Sequence, residues 1–127
     1  MKTVIGLFQK LGDATMTMDE FANLGLYADR VGLLSSEPGA ASRQGLNLLD
    51  LPEVGRAAAN PAMLEWLKMP GGIAGALTRL GVSEADAARC IDTLREGGTL
   101  EAVIVEDGRQ RDAQDVMRVR SMRNQAQ

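Results

Sequence analysis

Apolar and polar positions follow different rhythms in three stretches of this chain. "KTVIGLF" at 2–8 is apolar on both faces, with Val4, Gly6 and Phe8 opposing Thr3, Ile5 and Leu7. That pattern predicts a central strand covered on two sides. Asp13 then suits an N-cap for a helix of about 14–24, with Ala14, Met18, Phe21 and Ala22 at helical spacing and Gly25 as its stop. "DRVGLLSS" at 29–36 reads as a second strand, so residues 1–36 form a βαβ-type half.

The rhythm breaks from 37 to 72. "SSEPGAASRQG" has loop composition, and "LNLLDLPEVGRAAA" is amphipathic but punctuated. "NPAMLEWLK" is a short helix, capped by Asn60 and opened by Pro61 at its first position. This segment is expected to be a connector with short helices. The half at 73–122 is the most regular. Ile73, Ala76, Leu77 and Leu80 mark a helix ended by Gly81; Ser83 caps a second with Ala87, Cys90, Ile91 and Leu94 inward. The twin glycines of "LREGGTLEAVIV" leave no room for a loop, so Gly97 closes the helix in a left-handed conformation and "TLEAVIV" starts a strand directly. A last helix covers about 110–122, and 123–127 is a polar tail.

The resulting order, β-α-β, connector, α-α-β-α, predicts one domain over 1–127 of the α+β class, an α/β sandwich. Its expected core is a ferredoxin-like split βαβ, with the third strand between the first two in a small, three-stranded antiparallel sheet covered by helices. Such a sheet leaves an edge uncovered, and pairing with a second copy is one remedy.

Composition narrows the chemistry. With 127 residues, 45% of them hydrophobic, and only four aromatics (Phe8, Phe21, Tyr27, Trp66), the core is aliphatic and stacking platforms for bases are few. A net charge of −3 offers no general attraction for nucleic acid, although five arginines gather from Arg109 onward. No window is long and apolar enough for a membrane span. A single cysteine, Cys90, excludes an intrachain disulfide and points to a reducing, cytoplasmic setting.

The chain has no histidine, which removes the commonest general base and metal ligand. Cys90 lies on an apolar helix stripe, as an inert buried thiol does. Asp19-Glu20, Glu84/Asp86 and Glu106-Asp107 each have a local structural reason, and "PGGIAG" matches neither phosphate-loop pattern. No catalytic, cofactor or metal residue is expected, and the expectation is a non-enzyme. The candidate functional residues form surfaces instead: Trp66 with Met63 and Met69 on the connector helix, and Arg118 and Arg120 on the last helix. Trp66 suits either a core plug or an anchor for a partner.

The strand "KTVIGLF" and the stretch "ALTRLGVSEADAARCIDTLREGGTLEAVIVEDGRQRDAQDVM" resemble the bacterial general stress protein (heat-induced stress protein) α/β domain family. The resemblance covers the two ends of the chain. It implies a small cytoplasmic protein linked to stress, with no catalytic residues to carry over. The middle departs from it, with Asp50, Glu53, Arg56, Glu65 and Lys68 where many relatives have a glycine-zipper segment. The expected function is that of a self-associating structural or interaction protein, a homo-oligomer in bacterial stress physiology. The alternatives are a small-ligand regulatory module, with its ligand at a dimer interface near glycines 71–72 and 97–98, and an accessory subunit docking on a larger complex.

Overall fold

Several strand ends in this protein are set by turns or caps that trace to named residues. The structure, a computed structural model, describes residues 2–26, 30–43 and 45–121. Its elements run β1 (Lys2–Phe8), α1 (Leu11–Asn23), β2 (Val31–Ser35), β3 (Asn47–Leu51), β4 (Gly55–Ala59), α2 (Pro61–Trp66), α3 (Gly72–Arg79), α4 (Glu84–Arg95), β5 (Thr99–Val105) and α5 (Gln110–Arg120), with a 3-10 turn at Ala40–Ser42.

All five strands join one antiparallel sheet in the order β1-β5-β2-β4-β3. The α+β class holds, and β5 lies between β1 and β2, antiparallel to both, as the split βαβ reading requires. The strand count differs: the sheet has five strands, not three. A ferredoxin-like domain would add its extra strand outside β1. Here the two added strands lie beyond β2, and β1 is an edge strand rather than a central one. The connector supplies them as a hairpin, with Leu51 opposite Gly55 and a positive φ of 80° at Gly55 that closes its turn.

Helices cover both faces. Val4 and Phe8 of β1, Val31 and Leu33 of β2, and Val103 and Val105 of β5 pack with Leu11, Ala14 and Phe21 of α1 and Ala113 and Met117 of α5. On the other face Leu7, Leu34 and Leu100 pack with Met63 of α2, Ile73 and Leu77 of α3, and Ala87, Cys90 and Leu94 of α4. Full burial of each such large side chain stabilises by about 1.5–3 kcal/mol.

The caps explain the joins. Gly97 has φ 88°, its N–H donates to Leu94 O, and the Gly98 N–H donates to Thr93 O at 2.9 Å. Those two bonds satisfy the last carbonyls of α4. A Cβ at Gly98 would lie 2.9 Å from Thr93 O and 3.1 Å from Phe8 O, so both glycines are required where helix meets strand. The start of α1 differs from expectation. Lys10 is its N-cap and Asp13 sits in the first turn; the Glu37 carboxylate, reaching in from the loop after β2, accepts the Leu11 N–H at 3.0 Å.

Asn60 joins β4 to α2 and is buried. Its Oδ1 accepts from Met63 N–H at 3.1 Å, as the predicted cap, and from Leu33 N–H at 3.0 Å, while Nδ2 donates to Val31 O at 2.7 Å. The side chain thereby continues the short β2–β4 ladder where the backbone has already turned into a helix. Asn60→Ala leaves three buried backbone groups unpaired and should cost about 2–4 kcal/mol, read as a lower urea midpoint with an unchanged slope.

Candidate functional site

The most unusual chemical group in this protein is a carboxyl in the middle of its central strand. Glu101 shares a face of β5 with Thr99, Val103 and Val105, and that face lies under α1 and α5. Its cross-strand neighbours are Gly6 on β1 and Leu33 on β2. The residue is 0% exposed, and neither carboxylate oxygen has a hydrogen-bond partner among the described residues. Desolvation pushes its pKa up from the ordinary 4.5 to about 9, so at neutral pH it is an uncharged acid.

Gly6 leaves a vacancy beside this acid, and Met117 of α5 fills it: a Cβ on Gly6 would lie 2.5 Å from Met117 Sδ. Gly6 is the residue directly opposed to Glu101, so the Met117 sulfur takes the cross-strand position that a side chain facing this acid would fill. Thr99, two residues earlier on the same face, spends its hydroxyl on Ser35 at 2.8 Å. The local pattern of "TLEAVIV" shows Glu101 as an ordinary outward-facing polar residue. Only the apolar Val103 and Val105 beside it signal that this face is covered too.

The surface candidates are not brought together. Met63 is buried against the sheet. Trp66, half-buried, lays its ring on β2, where a Cβ at Gly32 would fall 2.1 Å from Cζ3. Gly32 pairs with Ala102, so two small residues make a flat seat for the indole. Met69 points outward at 56% exposure. Arg118 is exposed and ion-paired with Asp115 at 3.1 Å, on α5 and hence on the opposite layer from Trp66. The side chain of Arg120 and the tail 123–127 lie outside the described residues.

Two other readings acquire a geometry. Cys90 is buried, and burial together with the nearby Asp86 pushes its thiol up to about 12, far from thiolate reactivity. At "PGGIAG" the place an anion would take is filled from within: Glu53, from the β3–β4 turn, accepts the Ala74 N–H at 3.2 Å, and a Cβ at Gly72 would meet its Oε1 at 2.5 Å. An open groove of about 270 Å³ lies at the α4–β5 join, lined by Gln9, Thr93, Glu96, Gly97 and Gly98. Among the described residues no group of three or more metal-ligating side chains converges, and no helix is long and apolar enough to cross a membrane.

The sheet and its two helix layers define an α+β domain with a split βαβ core and an appended hairpin. Comparison with family models, curated proteins and solved structures finds no match to this chain.

Proposed function

We propose that this protein is a non-catalytic interaction module that self-associates by pairing the outer edges of β3 from two copies. The observation that carries the reading is the composition of that edge. β3 ends the sheet, no described strand lies beyond it, and Leu48 on it is 53% exposed. Unpaired strand edges invite a partner strand unless they are blocked by charge, proline or a covering element. A two-fold antiparallel pairing that sets the two Leu48 side chains opposite each other continues the sheet across the dimer. The exposed Asp50–Arg56 pair, at 3.8 Å, then lies at the rim. A role in bacterial stress physiology follows the resemblance of the chain ends. A second reading, a small-ligand regulatory module, is favoured by the groove beside Gly97 and Gly98.

Light scattering on a size-exclusion column is expected to give twice the 13.6 kDa chain mass. Leu48→Asp places two carboxylates face to face and should return the monomer with its helix content intact. A wild-type protein that stays monomeric at high concentration would sink the proposal, as would a variant of unchanged mass.

A further inference from the structure

Helix α5 is a thin cover over an uncharged acid. Among the described side chains of this helix only Ala113 and Met117 are fully buried, with Val116 half-buried, and the rest are polar or exposed. Its N-terminal end is tied by Arg109, whose Nη2 donates to the Leu24 carbonyl at 3.0 Å. Elements with so few apolar anchors open at a lower free energy than the strands beneath them. Met117 is the larger anchor, and it sits in the Gly6 slot next to Glu101.

We infer that α5 is a pH-released cover: loss of the Glu101 proton detaches α5 from the sheet and opens the β1–β5–β2 face, while the opposite layer stays packed. A carboxylate without a partner cannot stay in this apolar layer, and the cheapest route to water is to displace the weakest element above it. Nothing facing Glu101 among the described residues compensates the charge. The sheet presents Gly6, Leu33, Thr99 and Val103; α1 presents Leu11, Ala14, Thr17 and Phe21; α5 presents Ala113, Val116 and Met117. The charged groups of these elements lie off that stripe. Asp13 and Glu20 are half-buried on α1, Asp19 is exposed, and Arg111, Asp112, Asp115 and Arg118 of α5 are exposed. Lys2 sits at the exposed start of β1, and Arg30, half-buried, precedes β2.

Two probes separate this opening from global unfolding. Arg111 and Arg118 are trypsin sites within α5, and Trp66, the single tryptophan, reports on the opposite layer. Limited trypsinolysis and Trp66 emission are followed together from pH 7 to pH 10 in the wild type, Glu101→Gln and Glu101→Met. Cleavage at Arg111 and Arg118 should rise at least tenfold in the wild type relative to either variant, with Trp66 emission unchanged. The variants correct for the pH dependence of the protease itself. Cleavage that rises equally in all three overturns the inference, and so does a wild-type emission shift that accompanies cleavage. If one variant fails to fold, as judged by Trp66 emission at pH 7, the other carries the comparison. If both fail, amide exchange of residues 110–121 against β5 in the wild type decides: parallel loss of protection with pH overturns the inference, and selective loss in α5 upholds it.

Discussion

Glu101→Met should stabilise the protein by about 3 kcal/mol at pH 7 and remove most of the loss of stability with rising pH that the wild type is expected to show. The sign follows from the proton count. Above pH 4.5 the unfolded chain has released the Glu101 proton, whereas the folded protein keeps it until about pH 9. The unfolded state thus binds fewer protons across that window, and wild-type stability falls by about 1.4 kcal/mol per pH unit as pH rises. Below the window the acid carries no ionisation penalty, though its hydroxyl still lacks a partner among the described residues. Methionine has a similar length, no charge to desolvate and no donor to satisfy, so it fits the same slot among Gly6, Leu33 and Val103. Urea melts at pH 5, 7 and 8.5 give the test. A variant curve parallel to the wild type across these pH values would show that Glu101 does not carry its proton into the fold.

Gly32→Ala should destabilise by about 3 kcal/mol, an effect out of proportion to one methyl group. The added carbon would lie 2.1, 2.7 and 2.9 Å from three atoms of the Trp66 ring, so the indole must leave its seat on β2. A rigid ring cannot yield as a flexible side chain would. Its departure should also shift the emission of the single tryptophan to the red. Trp66→Leu in the Gly32→Ala background should recover part of the loss, giving a coupling energy of at least 1 kcal/mol in the double-mutant cycle. Additive effects would mean that Gly32 and Trp66 do not share the contact.

The elements best foreseen from sequence are those whose ends are written in local chemistry. Ser83 accepts the Asp86 N–H at 3.2 Å, Asn60 caps α2, and Gly97 ends α4, each as the residue types demand. β5 between β1 and β2 was also legible, because alternating strands and helices leave few ways to bury both faces. The hairpin was not. "GRAAA" consists largely of alanine, the best helix former, and lacks alternation. It forms a strand because Gly55 turns the chain and Ala57, Ala58 and Ala59 are buried in its two packed faces. That is a tertiary reason, invisible to any window along the chain. Glu101 was missed on similar grounds, since only the second helix layer converts a polar strand position into a buried one. Trp66 lay between two readings, and the bare backbone of Gly32, far away in sequence, is what seats it.

The position of β5 also constrains how the chain can mature on the ribosome. β1 and β2 leave before β5, yet neither hydrogen-bonds to the other; Lys2 awaits Val105 and Val31 awaits Val103. A nascent chain stopped before Thr99 can already pair β2 with β4 and β4 with β3, whereas β1 has no strand partner until β5 is made. The sheet is completed when β5 slides between β1 and β2, a step that rests on pairings far apart in sequence. Until then, β1, an apolar strand with no partner, is the segment most in need of chaperone shelter.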